Sequence, residues 1–220
     1  MKCYTNIMPA KNSIKEYASE SFYHLYNRGV AKQNIFLDDQ DYKVFLSYLK
    51  TYLCAPAQTE AEAPSRKLKN FFSLIKLLAY CLMPNHFHLL IWQKEIDGIS
   101  SFMHSLLTKY SLYFNRKYQR VGPVFQGKLK GVTVQTENQF LYLSKYIHRN
   151  PLDLTSRPGL EVYSYSSYRN YLGVINQTWV DTSDILSYFS KSRLGNSYKA
   201  FVEELDERDI PTIKDIMLDF

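Results

Sequence analysis

The sequence predicts an α+β protein with the ferredoxin-like element order βαββαβ, in which a four-stranded antiparallel sheet carries two helices on one face. Three observations lead to this fold: short segments with strand-like alternation, longer segments with apolar residues at helical spacing, and a turn signal between the second and third strands. An extra tyrosine-bearing helix and a C-terminal helical extension follow. The strands are predicted at 21–29, 73–83, 86–93 and 124–134, the core helices at 40–53 and 99–118, and the extra helix at 137–150.

The first third of the chain supplies a strand, a helix and a loop. Residues 21–29 form the predicted first strand, and residues 1–20 before it carry no clear pattern. Residues 54–70 contain two prolines and few side chains to bury, which predicts a flexible loop. Apolar side chains at helical spacing predict the first helix between them, at Tyr42, Phe45, Leu46, Leu49 and Leu53.

Two histidines lie on one face of the predicted third strand. Pro84 and Asn85 favour a tight turn directly before it. Because successive strand side chains point to opposite faces, one face carries His86, His88, Leu90 and Trp92, and the other carries Phe87, Leu89 and Ile91. Two neutral imidazoles at this spacing can bind one divalent ion. The same pattern also occurs in strands as two hydrogen-bonded surface histidines, so the pair alone leaves both interpretations open.

The second core helix lies in a purely basic region. No acidic residue occurs between Asp97 and Glu137, and aromatic residues are interleaved with the cations. This mixture suits a groove that follows phosphates and stacks unpaired bases. A solvated basic helix face with core aromatics behind it is the alternative. The cations named as DNA-binding candidates are Lys109, Arg116, Arg120, Lys128 and Lys130.

The extra helix would cover the histidine face of the sheet. Thr136 to Gln139 has the form of a capping box, and Pro151 ends the helix. Tyr146 and Asn150 are four residues apart, so they point the same way. A carboxamide oxygen can be a third metal ligand and a phenol can be a nucleophile. The helix packs through the stripe Phe140, Leu143 and Ile147.

Composition excludes several other classes of protein. With 220 residues, 45% of them hydrophobic, the chain suits one globular domain with a small appendage. Its three cysteines have no CxxC spacing, which argues against a disulfide framework or zinc module and fits a reducing compartment. No signal-type segment or membrane-length apolar run is present, so we expect a cytoplasmic protein without a membrane partner.

Several motifs together resemble one family. His86-Phe87-His88 resembles the HUH motif of histidine, hydrophobic residue and histidine. Residues 145–151, Lys-Tyr-Ile-His-Arg-Asn-Pro, resemble the tyrosine helix of the single-tyrosine HUH transposases of the insertion-sequence class. Within that class the chain is similar to the REP-associated tyrosine transposases of bacteria. Three further stretches match that pattern: Tyr-His-Leu-Tyr-Asn-Arg-Gly at 23–29, Gly-Pro-Val-Phe-Gln-Gly-Lys at 122–128, and Tyr-Ser-Ser-Tyr-Arg-Asn-Tyr-Leu-Gly at 165–173.

The resemblance implies metal-dependent cleavage and rejoining of single-stranded DNA at palindromic hairpins. Tyr146 would be the nucleophile and would form a 5′-phosphotyrosine, while His86, His88 and Asn150 would hold Mg²⁺ or Mn²⁺. Gln126 joins the basic residues as a candidate for DNA contact. The catalytic domain is expected at 21–155, between an N-terminal extension at 1–20 and a C-terminal extension at 156–220.

Two alternatives and two questions stay open at this stage. The sheet could be a catalytically silent module that binds single-stranded nucleic acid, with the histidines and Tyr146 stacking on bases. An HUH replication initiator or relaxase would share the chemistry. The sequence leaves open a homodimer in which Tyr146 acts on its partner's metal. It also assigns no task to the acid-rich segment from Glu203 onward, and suggests only that His24 lies near the site.

Overall fold

The computed structural model describes residues 17–56, 69–153, 159–189 and 197–204, and within them the predicted βαββαβ order is confirmed. Short 3₁₀ turns lie at Val30–Lys32, Asn150–Asp153 and Leu160–Val162. The strands and helices are β1 (Ser21–Arg28), α1 (Asp39–Leu53), β2 (Ile75–Met83), β3 (His86–Gln93), α2 (Gly98–Lys117), β4 (Lys130–Val134), α3 (Glu137–Arg149), α4 (Tyr168–Tyr171), α5 (Ser183–Leu186) and α6 (Tyr198–Glu203).

The four strands form one antiparallel sheet in the order β2-β3-β1-β4. This is the strand order of the ferredoxin-like fold, in which the first and third strands are central. The turn predicted at Pro84 and Asn85 joins β2 to β3, and it pairs Met83 directly with His86. The histidine strand is therefore central, with β1 on one side and β2 on the other.

The two sheet faces are buried in separate cores. Phe87, Leu89 and Ile91 pack with α1 and α2, as the alternation predicted. Leu90 points the other way and packs with the α3 residues Phe140, Leu143 and Ile147. A β-bulge between Leu77 and Ala79 shifts the register of β2, so that Leu78 and Ala79 both belong to this second core. Helix α3 thus covers the histidine face.

The edge strand β2 is paired along its outer side by the C-terminal part of the chain. Leu82 donates its backbone N–H to the Tyr165 carbonyl at 2.9 Å, and Ser167 donates to the Tyr80 carbonyl at 3.0 Å. Further along, Asp181 donates to the Leu77 carbonyl at 2.9 Å. Because an uncovered edge leaves unpaired N–H and C=O groups, these bonds complete the sheet.

The predicted boundary of the fourth strand was wrong. Val124 to Leu129 lie outside β4, which begins at Lys130, and only Phe125 forms an isolated bridge, with Gly29. The extended run is interrupted at Gly127, whose φ of +63° belongs to the left-handed region that glycine tolerates best. The predicted helix end also moves by one residue, because Asn150 begins a 3₁₀ turn that leads into Pro151.

The start of α3 differs in detail from a capping box. Thr136 Oγ1 accepts the backbone N–H of Gln139 at 3.1 Å, as predicted. The Gln139 side chain, however, accepts from the N–H of Gln135 and not from that of Thr136. Both bonds satisfy backbone donors near the helix start and fix where α3 begins.

Three sequence expectations fall wholly or mostly outside the described residues. They are the N-terminal extension, of which residues 1–16 are not described, the loop predicted at 54–70, of which 57–68 are not, and the acid-rich end beyond Glu204. In the described parts of the chain no helix is both long enough and apolar enough to cross a membrane.

A buried polar network fastens α3 to the rest of the second core. His148 Nδ1 lies 2.7 Å from the Tyr198 hydroxyl on α6, and its Nε2 lies 2.7 Å from Ser167 Oγ. Ser167 Oγ accepts the N–H of Tyr80 in β2 at 2.8 Å, and the Tyr198 hydroxyl donates to Ser144 Oγ at 3.1 Å. His148 therefore connects the tyrosine helix to the sheet and to α6.

The stability of the fold should fall in acid through His148. Burial lowers the pKa of this fully buried imidazole from 6.5 to about 3. Below pH 6.5 His148 is therefore protonated in the unfolded chain but stays neutral in the folded chain down to about pH 3. The stability that this residue contributes above pH 6.5 is lost as the pH falls. Protonation of His148 in the unfolded chain lowers the free energy of unfolding by up to about 1.4 kcal/mol for each pH unit of acidification.

Urea unfolding between pH 7 and pH 4 would measure this effect. The variant His148→Gln should flatten the dependence of the unfolding free energy on pH. The exposed His104 on α2 supplies the matched control, because His104→Gln should leave the slope unchanged. Equal slopes for wild type and His148→Gln would contradict the assignment.

Candidate active site

The four residues proposed from sequence as nucleophile and ligands meet on the histidine face. His86 and His88 come from β3, and their ring centres lie 5.0 Å apart with perpendicular planes. The Tyr146 ring reaches down from α3 to lie 5.4 Å from that of His88. Asn150, one turn later, contacts the His86 side chain. Strand alternation and helix periodicity thus converge in space on one small cluster.

His86 is held as a neutral ring at the end of the sheet. Its Nδ1 lies 2.6 Å from Asn85 Oδ1. The pKa of His86 is lowered to about 4, mainly by burial; a hydrogen bond with the Asn150 side chain opposes this shift, and the positive charge of Arg28 contributes to it. A neutral imidazole is the form that can donate a lone pair to a metal ion.

His88 is fully buried, and its two nitrogens have different surroundings. Burial holds the pKa of His88 well below its usual value, and nearby His24 and His86 act in the same direction. Its Nδ1 lies 2.9 Å from Nε2 of His24. Its Nε2 is buried without a hydrogen-bond partner among the described residues. A buried ring nitrogen of this kind is costly unless something outside the chain engages it.

Asn150 is oriented by its own helix. Its side-chain Nδ2 donates to the Tyr146 carbonyl at 2.9 Å, one turn back. The amide nitrogen is therefore engaged with α3, and Oδ1 is the atom that can turn toward His86. Tyr142, another turn back, packs against Phe201 of α6 with ring centres 5.5 Å apart and does not join the cluster.

The residues present fit a divalent cation. His88 Nε2 is a buried ring nitrogen without a hydrogen-bond partner among the described residues, His86 is a neutral imidazole, and Asn150 can offer a carbonyl oxygen. The described residues contain no group of three or more His, Cys, Asp or Glu side chains placed to hold a metal. Asn150, whose side chain contacts His86, would supply the third protein ligand through its amide oxygen. Two nitrogens and one oxygen suit Mn²⁺ at least as well as Mg²⁺.

Strand β1 adds site residues that sequence reasoning did not assign. It pairs with β3 so that Arg28 lies opposite His86 and Tyr26 lies opposite His88, while His24, two residues before Tyr26, lies opposite Leu90. The His24 ring stacks on that of His88, with centres 5.1 Å apart. The same period-two alternation that revealed the histidine pair places these side chains on one face. The missing information was the register between the two strands.

Three of the proposed DNA-binding residues lie near the same end of the sheet. Gln126 Oε1 accepts a hydrogen bond from Arg28 Nε at 2.8 Å, which links the loop before β4 to the site. Lys130 pairs with Tyr26 on the neighbouring strand, and Lys128 is exposed just before it. A polar and basic rim therefore borders the histidine face.

The other three proposed DNA-binding residues, Lys109, Arg116 and Arg120, lie away from the histidine face. Helix α2 packs on the opposite face of the sheet, where Lys109 Nζ lies 4.5 Å from the centre of the Tyr48 ring. Arg116 is exposed on this helix, and Arg120 follows its end, with Nη2 3.4 Å from Gln33 Oε1. The structure does not bring Lys109 and Arg116 to the candidate site, so a strand bound there would have to extend around the sheet to reach them.

The fold and this site define a class: ferredoxin-like proteins with a His-X-His strand facing a helix that carries tyrosine and asparagine. Residues 57–150 match the model of the family described as "Transposase IS200 like". The resemblance found in the sequence is thereby confirmed over these residues: the chain is similar to the IS200-like transposases and has the fold of a solved REP-associated tyrosine transposase. The comparison with curated proteins gave no match.

Two solved structures similar to this chain are described as transposases, and the first of them supports the fold. One of them is described as a REP-associated tyrosine transposase bound to a REP hairpin; it is 14% identical, with a TM-score of 0.53 over 80% of this chain and 94% of that one. Another is a putative transposase from Deinococcus radiodurans R1, 15% identical, with a TM-score of 0.37 over 65% of this chain and 97% of that one.

Proposed function

We propose that this protein cuts and rejoins single-stranded DNA beside hairpins, with Tyr146 as the nucleophile. The observation that carries the proposal is the position of Tyr146 over His88, 5.4 Å between ring centres, with Asn150 on the next turn of α3 beside His86. A phenol, two neutral imidazoles and an amide oxygen on one buried face suit phosphodiester cleavage through a covalent tyrosine intermediate.

The cleavage step exchanges one phosphoester for another. The Tyr146 oxygen forms a bond to phosphorus while the bond from phosphorus to the 3′ oxygen of the departing strand breaks. Tyr146 gives up its phenolic proton, and the departing 3′ oxygen takes up a proton. The products are a 5′-phosphotyrosine and a free 3′-hydroxyl. Because the phosphoester is kept, attack by a 3′-hydroxyl reverses the step and joins two strands without ATP.

His86, His88 and Asn150 would hold the divalent cation, Mg²⁺ or Mn²⁺. When bound, the cation supplies Lewis-acid stabilisation of the charge that develops on the scissile phosphate. The chain's own residues orient the reaction: α3 fixes Tyr146 above the sheet, and the bond from Asn150 Nδ2 to the Tyr146 carbonyl couples the ligand to the nucleophile.

One chain supplies every residue of the proposed site. Tyr146 faces His88 of its own subunit, and the His148 network holds α3 to its own sheet. We therefore propose that Tyr146 acts in cis, and a homodimer is not needed to complete the site. We also assign catalysis to residues 21–155 and propose that residues 156–220 are a C-terminal extension, whose described helices α4 and α6 pack in the second core, and that the protein acts in the cytoplasm.

The proposed substrate is hairpin DNA with a single-stranded flank. Two observations support this proposal: a similar solved transposase is described as bound to a REP hairpin, and a polar and basic rim is formed by Arg28, Gln126, Lys128 and Lys130. The guanidinium of Arg28 lies beside His86 and is held through Nε by Gln126, so its terminal nitrogens can receive a phosphate. Single strands should bind more tightly than duplex.

Salt dependence tests whether the strand also reaches α2. Replacing Arg116 and Arg120 with alanine should reduce the magnitude of the negative slope of log K against log salt by about 1.4, because each single-strand phosphate contact contributes roughly 0.7. Lys43 and Lys199 are exposed and already paired with Asp39 and Glu161, so the double alanine variant at these two positions is the matched control. An unchanged slope for Arg116 and Arg120 would remove this helix from the DNA path.

The test of the proposed function is a covalent complex. Labelled hairpins taken from the flanks of the protein's own gene, mixed with the protein and Mn²⁺, should yield a protein-linked strand that survives denaturation. A catalytically silent binding module would retain the DNA without metal and form no such link. The transposase family match favours the present proposal over a replication initiator or relaxase.

A further inference from the structure

His24 contacts one of the proposed metal ligands from behind. It lies on β1, diagonal to His88 on β3, since Tyr26 occupies the directly opposite position. Its Nε2 lies 2.9 Å from His88 Nδ1, and both rings are fully buried. The Tyr26 ring, 4.9 Å away, and the Tyr146 ring, 6.1 Å away, enclose His24 and limit its rotation.

The hydrogen bond between the rings can run in two directions, and they differ in consequence. If His24 donates from Nε2, then His88 accepts at Nδ1 and must carry its own proton on Nε2. That proton blocks the nitrogen from binding a metal. If His88 donates from Nδ1 to His24, its Nε2 has a free lone pair on the side where no described residue engages it.

We propose that His24 is a positioning residue that accepts the Nδ1 proton of His88 and so keeps His88 in the tautomer and orientation that bind a metal ion through Nε2. This inference rests on the proposed function, because it assumes a cation at His86, His88 and Asn150. Metal-binding histidines commonly donate a hydrogen bond from the N–H of their second ring nitrogen to a neighbouring acceptor, usually a carboxylate, a backbone carbonyl or water. Here a third imidazole takes that place.

The arrangement also explains why an imidazole suits this position. A carboxylate behind His88 would place a buried negative charge in the second core, among residues such as Leu90 and Ile147, and burying such a charge is costly. A neutral imidazole accepts the same proton without that cost. Loss of an outer partner of this type lowers metal affinity by about 10- to 100-fold.

Calorimetry with Mn²⁺ alone, on the full chain without DNA, tests the inference. His24→Leu keeps a buried apolar volume but removes the acceptor, so affinity should fall by about 10- to 100-fold. His24→Gln places an amide oxygen near the former Nε2 and should restore most of the affinity. The surface variant His104→Gln should bind like wild type. Equal affinity in wild type and His24→Leu, or no recovery in His24→Gln, would overturn the proposal.

Two further measurements separate this inference from the metal site itself. If wild type binds no Mn²⁺, the metal part of the proposed function fails; if wild type binds and only His88→Ala loses binding, the role of His24 fails. Nitrogen-15 NMR of the metal-free wild type reports the tautomer directly and needs no variant to fold. A proton on His88 Nδ1 supports the proposal, and a proton on Nε2 overturns it.

Discussion

Replacing Tyr146 with phenylalanine is expected to abolish the covalent link between protein and DNA. The change removes only the hydroxyl from a ring that sits 5.4 Å from His88, so packing on the sheet should survive. Without the nucleophile, cleavage should fall by about 10⁴-fold or more, while hairpin affinity and Mn²⁺ binding stay near wild type. Gel mobility of labelled DNA after denaturation measures the link, and mass spectrometry of the DNA-bound peptide identifies the residue.

Tyr142 provides the matched control, because it lies on the same helix one turn earlier. Its ring packs against Phe201 and not against the histidines, so Tyr142→Phe should still form the link. The sequence contains 19 tyrosines, which makes mapping of the attached residue the decisive measurement. A link found on any other tyrosine, or a fully active Tyr146→Phe protein, would refute the mechanism.

Removal of either strand histidine is the second change expected to have a large effect. His86→Ala and His88→Ala each delete one of three proposed ligands, so Mn²⁺ affinity should fall by more than the roughly 10- to 100-fold that loss of an outer partner costs. Cleavage should be lost with it. Hairpin binding should remain largely intact, because the proposed phosphate contacts lie on the rim at Arg28, Lys128 and Lys130.

Calorimetry on the purified proteins tests this expectation without relying on activity. His104→Ala replaces an exposed histidine on α2 and should bind Mn²⁺ as the wild type does. Circular dichroism of both strand variants would show whether they keep the fold. Equal metal affinity in wild type and in both folded variants would eliminate the site.

Local periodicity was enough to predict the architecture and the central cluster. Alternation along residues 86–92 separated His86 and His88 from Phe87 and Leu89, and the spacing of Tyr146 and Asn150 put both on one side of α3. Such patterns depend only on the geometry of one strand or one helix, which is why the sequence reveals them.

What escaped prediction depends on contacts between distant segments. The role of His24 requires the register of β1 against β3, and the link of Arg28 to Gln126 spans 98 residues. The basic helix was assigned to DNA from its charge and its interleaved aromatic residues, whereas Lys109 lies in the layer opposite the histidines. Charge patterning indicates affinity for phosphate but not the side of the sheet on which the charges lie.

The bonds along the outer side of β2 also bear on synthesis. The strand emerges from the ribosome about 80 residues before the segment 163–181 that pairs with it, as the chain is made from its N-terminus. Until that segment arrives, the carbonyls of Leu77 and Tyr80 and the N–H of Leu82 have no cover from it. A nascent or truncated chain would therefore expose an unpaired strand edge, with which strands of other chains could pair. Once residues 163–181 pair with β2, this edge is covered and is no longer open to aggregation.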